Sequence, residues 1–112
     1  MRDGIYSFRF DSYGHLSRGS LTVRGGLANG GDTRVLIQGQ IAQASHNVSA
    51  SFDVTSVARL DRPMSRYGVL DFTLRLSGSG SETHFDMIGV GPRGLIIVIA
   101  GEWMTPLATV AA

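Results

Sequence analysis

The 112-residue chain contains no cysteine and no lysine, only two glutamates and only three prolines. Without cysteine it has no disulfides, thiolate nucleophiles or thiolate metal ligands, so packing must provide its stability. Because strong helix formers are scarce while glycine occurs 15 times, the composition disfavours helix. The longest apolar run, residues 95–100, is much shorter than the roughly 20 residues of a membrane-spanning helix, so no membrane insertion is expected.

The charge of the chain is nearly balanced, with ten arginines against nine acidic residues. A chain with nearly balanced charge has no long-range electrostatic field that attracts nucleic acid, so we expect no direct nucleic-acid binding. The first residues lead into a strand pattern without an apolar signal core, which predicts a cytoplasmic protein. The length is that of one domain, so residues 1–112 are predicted to form a single unit.

Apolar and polar residues alternate with a period of two, as in half-buried β-strands. The strand-like segments are 5–10, 17–24, 34–41, 47–55, 70–76, 81–87 and 95–103. Short glycine-rich connections predict an antiparallel meander, and an even strand count is needed for antiparallel closure, so an eighth strand is expected at 57–60 or 107–110. The predicted fold is all-β, an up-and-down barrel of about eight strands with at most one short helical turn, between Asp61 and Gly68.

One hairpin has a specific predicted register. Turn-forming residues at 77–80 place the next two strands so that they form the pairs Phe72–Phe85, Thr73–His84 and Arg75–Glu82. Asp71 would then lie beside Asp86.

The inward positions of this barrel are apolar. They comprise Tyr6, Phe8, Phe10, Leu21, Val23, Ile37, Phe52, Phe72, Leu74, Phe85 and Met87. A barrel of about eight strands is just wide enough to fill itself with side chains or to hold one small ligand. The interior is therefore either a packed core or a binding site for an apolar ligand such as a lipid.

Residues 95–100 are apolar on both strand faces, which requires cover on both sides. If Leu95, Ile97 and Ile99 point inward, Ile96 and Val98 belong to an outward apolar stripe that monomers seldom expose. A homodimer would bury this stripe. The predicted dimer interface consists of Ile96, Val98, Ala100, Trp103 and Met104.

No catalytic or metal-binding set emerges from the sequence. None of the twelve serines lies in a Gly-x-Ser-x-Gly elbow, and no helix follows the glycine groups to hold a phosphate. Glu82, His84 and Asp86 share one strand face, but an outward barrel face lacks the convergence that a metal or an active site needs. The chain is predicted to be no enzyme and to carry no cofactor. Its longest connection offers a protein contact through Arg59, Arg62, Arg66 and Tyr67.

Asp-Gly-Ile-Tyr-Ser at residues 3–7, Gly-Gly-Asp at 30–32 and Gln-Gly at 38–39 resemble the GrlR family of negative regulators of bacterial type III secretion. The resemblance implies a dimeric, lipocalin-like barrel that restrains a transcriptional activator by binding it and whose interior is suggested to accept lipid. It also implies an acidic run after the third strand as the activator contact, whereas residues 42–46 contain no carboxylate. The expected function is regulation by protein contact; the alternative is a carrier or sensor of an apolar ligand.

Overall fold

The computed structural model describes residues 1–12, 15–32, 34–56 and 71–108, and the structural statements below concern these residues. They form eight strands: β1 (Gly4–Ser12), β2 (His15–Arg24), β3 (Leu27–Gly31), β4 (Val35–Ala44), β5 (Asn47–Ser56), β6 (Asp71–Gly80), β7 (His84–Val90) and β8 (Ile96–Thr105). A 3-10 turn, Pro92–Gly94, joins β7 to β8. Each strand pairs antiparallel with the next, and β1 pairs with β8 to close the barrel. The predicted fold class is confirmed, while the helical turn predicted between Asp61 and Gly68 lies outside the described residues.

The eighth strand is β3, which the sequence pattern missed. Gly25 and Gly26, with φ of 56° and 80°, form the two-residue turn that joins β2 to β3. A turn with two positive φ angles matches the twist of antiparallel strands, and glycine adopts it without steric cost. The eight strands of the closed barrel include β3, formed by glycine-rich residues that had been assigned to a connection, in place of the strand expected at 57–60 or 107–110. Residues 57–60 and 109–110 lie outside the described residues.

The predicted register of the β6–β7 hairpin was also wrong. The observed pairs are Leu76–Gly89, Ser77–Ile88, Gly78–Met87, Ser79–Asp86 and Gly80–Phe85, and Asp71 lies opposite Thr55 on β5. β6 continues to Gly80 because it pairs with nearly the whole of β5, and the turn falls at residues 81–83. The shift is an even number of residues, so the inward faces are preserved. Ser77 to Gly80 are strand residues despite their turn-like composition.

The inside of the barrel is an apolar core. Of the eleven predicted interior residues, all are buried except Phe10 and Phe72, which are partly buried and pack against the core. Ala28, Ile41, Val48, Val54 and Leu76 complete it together with the inward residues of the last strand. Among the described residues, Ser12 is the one buried polar side chain, and its hydroxyl donates to the Ile96 carbonyl at 3.3 Å.

A row of alternating glycines and phenylalanines crosses the strands on the inside. In order over β2, β1, β8, β7 and β6 it reads Gly19, Phe8, Gly101, Phe85 and Gly80. A Cβ on Gly101 would overlap the ring of Phe85, and one on Gly19 would lie 2.9 Å from Cζ of Phe8. The Phe85 ring therefore occupies space that Gly101 leaves free, and the Phe8 ring reaches the space beside Gly19, as in the aromatic rescue of strand glycines.

The amino-terminal residues cover one end of the barrel. The Tyr6 hydroxyl, on a fully buried side chain, lies 2.5 Å from the Arg2 carbonyl oxygen and 3.0 Å from that of Glu82. The Arg2 guanidinium lies 4.2 Å from the centre of the Trp103 ring, whose Nε1 donates to the Asp3 carbonyl at 3.2 Å. Hydrogen bonds and a cation–π contact thus attach the terminus to the end of β8 and to the β6–β7 turn.

Replacing Tyr6 by phenylalanine tests this closure. Loss of the hydroxyl bonds should lower the free energy of unfolding by about 1 kcal/mol near neutral pH. Burial raises the pKa of the Tyr6 phenol, with Asp3 and Glu82 adding to the rise and Arg2 opposing it. The neutral phenol therefore favours the folded state below the unfolded pKa of about 10, and its contribution is lost as pH rises through the folded value. Denaturant unfolding of wild type and Tyr6→Phe from pH 7 to 11 measures both effects. If the free energy of unfolding fell equally in both proteins as the pH rose, the alkaline loss could not be assigned to the Tyr6 phenol.

Candidate functional site

The outer face formed by β2, β1, β8 and β7 carries charged and aliphatic side chains that do not belong to the core. Side chains from these four strands align in rows across the sheet because the strands pair in register. One row runs Arg18, Arg9, Ala100 and Asp86, and the next runs Ser20, Ser7, Glu102 and His84. Toward the other end of the strands, the next row runs Leu16, Asp11, Val98 and Ile88, so the outward residues become apolar on β7 and β8 while β1 contributes Asp11.

The apolar patch consists of Ile88, Val90, Ile96 and Val98. Their exposed fractions are 52%, 64%, 47% and 41%, although all four side chains are fully aliphatic. Ile88 lies opposite Val98 and Val90 opposite Ile96, so the four form one contiguous surface on β7 and β8. Single exposed aliphatic residues are ordinary, whereas a contiguous cluster of them marks an interaction surface.

The division of residues 95–100 into two faces is as predicted. Leu95, Ile97 and Ile99 are buried, whereas Ile96 and Val98 are exposed on the outside. Ala100 continues this outward stripe and is partly buried.

Ile88 and Val90 were missed because the predicted sixth strand ended at Met87. The signal was present in the sequence: Met87 and Gly89 continue the inward parity of β7, which leaves Ile88 and Val90 on the outward parity. Strands β7 and β8 together, rather than β8 alone, therefore form the apolar surface.

The two remaining residues of the predicted interface lie apart from the patch. Trp103 is partly buried at the covered end of the barrel, where it packs against the core beneath Arg2. Met104 follows it and is 62% exposed. The structure thus brings Ile96, Val98 and Ala100 together on one face, and places the Trp103 ring in contacts with its own amino-terminal segment.

A groove of about 440 Å³ crosses the outside of the same four strands, beside the apolar patch. It lies over the glycine–phenylalanine row, since Gly19, Phe8, Gly101 and Phe85 line it. Arg9 and Arg18 form one side and are directly opposed across β1 and β2. Like charges opposed in this way are destabilising. Neither arginine side chain forms an ion pair or hydrogen bond within the described part of the chain.

The other side of the groove is acidic. Asp86, Glu102 and His84 line it, so two members of the Glu82, His84 and Asp86 set reach the groove. Glu82 lies in the turn before β7 and not on the strand. His84 Nδ1 lies 2.8 Å from the Ser81 hydroxyl. Among the described residues, no three histidine, aspartate or glutamate side chains are grouped closely enough to hold a metal ion. Arg9, Arg18 and Glu102 were not singled out from the sequence. The register of the β1–β2 hairpin places Arg9 opposite Arg18, and the pairing of β1 with β8 places Glu102 near them.

The proposed contact through Arg59, Arg62, Arg66 and Tyr67 lies outside the described residues. Residues 42–46 contain the end of β4 and the two-residue turn to β5, and no carboxylate occurs there. In the described ranges, the helical structure falls short of the length and hydropathy of a membrane-spanning segment.

Comparison with known proteins gives one family match. A family model described as "T3SS negative regulator, GrlR", where T3SS denotes the type III secretion system, matches residues 1–107. The match covers every strand of the barrel, including the outer face that carries the apolar patch and the groove. No curated protein matches the chain significantly.

Arg18→Glu should stabilise the barrel, because it replaces a directly opposed like-charge pair with an ion pair to Arg9. The expected gain in the free energy of unfolding is about 0.2–1 kcal/mol, and it should shrink in 1 M salt, where the Debye length is about 3 Å. Arg75→Glu is the matched control, since it changes the net charge equally while facing Ser51 across the sheet. Equal gains for both variants in denaturant unfolding would show that net charge, and not the Arg9–Arg18 pair, is responsible.

Proposed function

The chain belongs to the GrlR family of type III secretion negative regulators, and from this membership we propose that it is a non-enzymatic, cytoplasmic regulator that binds a transcriptional activator. The observation that carries the proposal is the family match over residues 1–107, which spans the complete barrel. The apolar patch supports action through protein contact, because it offers a contiguous aliphatic surface rather than a reactive site.

The regulator is proposed to be a homodimer. A twofold axis through the apolar patch would pair the patch with itself and remove four exposed aliphatic side chains from water. Burial of apolar surface stabilises such an association by roughly 25 cal/mol per Å² before the costs of association. Trp103 and Met104 would contribute only from the periphery of this interface, since they lie toward the covered end of the barrel.

The activator is proposed to bind away from residues 42–46. An acidic contact is impossible there because the segment lacks carboxylates. The arginine-rich connection with Arg59, Arg62, Arg66 and Tyr67 remains the proposed contact. Forked arginine hydrogen bonds suit acidic partners, and a tyrosine adds an apolar surface with a polar tip.

A carrier or sensor of an apolar ligand is the second candidate. The observation that favours it is the interior, where the buried side chains of the described residues are hydrophobic except Ser12. Any molecule admitted among Phe8, Phe52 and Leu74 would have to be apolar. A stoichiometric lipid extracted from purified protein would favour this function, whereas lipid-free protein that still regulates secretion genes would exclude it.

Overproduction of the chain in its own host should lower the transcript levels of type III secretion genes, and deletion of its gene should raise them. The reason is that the bound activator cannot promote transcription. Quantitative transcript measurement, combined with copurification of the tagged activator of those genes, checks both parts. Unchanged transcripts in both strains would remove the regulatory proposal.

Ile96→Asp should convert the dimer into a monomer. An unpaired carboxylate buried in the interface costs several kcal/mol, so the dimer dissociation constant should rise at least about 100-fold. Leu27→Asp is the matched control: Leu27 is 55% exposed on β3, comparable to 47% for Ile96, but lies outside the apolar patch. Light scattering and sedimentation of the three proteins measure the change. A monomeric wild type, or a dimeric Ile96→Asp variant, would contradict the proposed interface.

A further inference from the structure

The first half of β2 has a neighbouring strand on one side only. β2 consists of ten residues, and β3 pairs with the last five of them, Ser20–Arg24. Residues 15–19 pair with β1 on the other side. Among the described residues, no strand lies along the β3 side of this half-strand. Such an edge presents N–H and C=O groups to which a further strand can bind.

Two residues direct their backbone groups toward this open edge. The turn at 25–26 has two residues, so Arg24 and Leu27, which flank it, exchange hydrogen bonds. Hydrogen-bonded positions alternate along an antiparallel pair, so the even-numbered residues of β2 bond toward β3 and the odd-numbered ones toward β1. Leu16 and Arg18 belong to the even set. In the described ranges, no backbone group of another segment bonds to them on that side.

The two faces of the edge differ in chemistry. On the outside, Arg18 is exposed and lies directly opposite Arg9 on β1. On the inside, the small residues Ser17 and Gly19 are partly buried, and Phe10 lies opposite Ser17. The Phe10 ring is itself only partly buried, at the end of the barrel away from the amino-terminal residues. An added strand would therefore meet positive charge on its outward face and apolar surface on its inward face.

We propose that the open edge of β2 binds an extended segment of another protein, in which apolar residues alternate with polar ones and an acidic residue lies opposite Arg18. Antiparallel addition provides main-chain hydrogen bonds to Leu16 and Arg18, and the alternate side chains provide specificity. The inward apolar side chains cover the Phe10 ring. The outward carboxylate accepts forked hydrogen bonds from Arg18 and offsets the repulsion between Arg18 and Arg9.

A second copy of this chain fits the same edge poorly. Pairing of two β2 edges would gather Arg9 and Arg18 of both copies on one outer face, and like charges at neighbouring strand positions are destabilising. Charged residues on an edge strand are a common means of preventing such self-pairing. An acidic segment has the opposite charge and gains from the same two arginines.

β6 has a comparable half-strand, since β7 pairs only with Leu76–Gly80. The start of β6 directly follows residues 57–70, which lie outside the described residues. The proposal therefore concerns β2, and the experiment separates the two edges.

Amide hydrogen exchange followed by NMR tests the edge on the unmodified protein. In the free protein, the amides of Leu16 and Arg18 should exchange at least about tenfold faster than those of Ser17 and Gly19, whose N–H groups bond to β1. The peptide acetyl-Val-Glu-Val-Thr-Val-amide should slow the exchange of Leu16 and Arg18 in a saturable way. Slow exchange of both amides in the free protein would overturn the proposal, because the edge would already be occupied.

The peptide provides its own controls. In the antiparallel register its glutamate lies opposite Arg18 and its threonine opposite Leu16. N-methylation of these two residues should weaken binding at least about tenfold, because it removes the N–H groups that face β2. N-methylation of the central valine, whose N–H faces away from β2, should leave the affinity within about twofold.

Charge exchange tests the contact with Arg18. Replacing the peptide glutamate by lysine should weaken binding to the wild-type protein, and Arg18→Glu should reverse this preference. Arg75→Glu, on β6, is the matched control and should leave both affinities unchanged.

Absence of saturable binding up to millimolar peptide would overturn the proposal. Equal weakening by the two kinds of N-methylation would do so as well, because recognition would then not follow strand pairing. A loss of binding on Arg75→Glu would place the peptide on β6 instead of β2. Each of these failures leaves the regulatory function intact, since that function rests on the family match and not on this edge.

Discussion

The alternating row of glycines and phenylalanines across β2, β1, β8, β7 and β6 determines how the barrel closes. Closure requires β1 to pair with β2 on one edge and with β8 on the other, and Phe8 lies in the middle of this junction between Gly19 and Gly101. The interior is too narrow at this level for consecutive large side chains, because a Cβ on Gly101 would overlap the Phe85 ring. The rest of the fold depends on this close approach, since it removes both free edges of the meander.

The same junction shapes the outer surface. On the inside of the barrel, the aromatic rings lie beside the glycines. The charged groove lies on the outside of the barrel, over the same row. The apolar patch on β7 and β8 is its direct neighbour, because both are formed by outward residues of the same strands. Buried apolar side chains line the inside of the barrel, and the apolar patch and the groove lie side by side on this outer face.

Two elements show where local sequence patterns were insufficient. The residues of β3 have a composition typical of a turn, yet they pair with β2 and β4 on both sides. Ser77 to Gly80 have the same character, yet they extend β6 along β5. In both cases the hydrogen bonds of two flanking strands outweigh a weak local preference, since an unpaired stretch would leave long strand edges without partners. Intrinsic turn preference is a poor guide wherever glycine and serine lie between long neighbours.

The sequence by itself determined the fold class, the inward and outward faces of the long strands, the apolar interior and the exposure of Ile96 and Val98. Those properties depend on alternation with a period of two, which each strand carries locally. The tertiary structure alone decided the position of the eighth strand, the β6–β7 register, and the union of Arg9 and Arg18 with Asp86 and Glu102. The first two outcomes depend on the register between neighbouring strands, and the third also depends on the pairing of β1 with the distant β8. Alternation fixes the face of a side chain without fixing its partner.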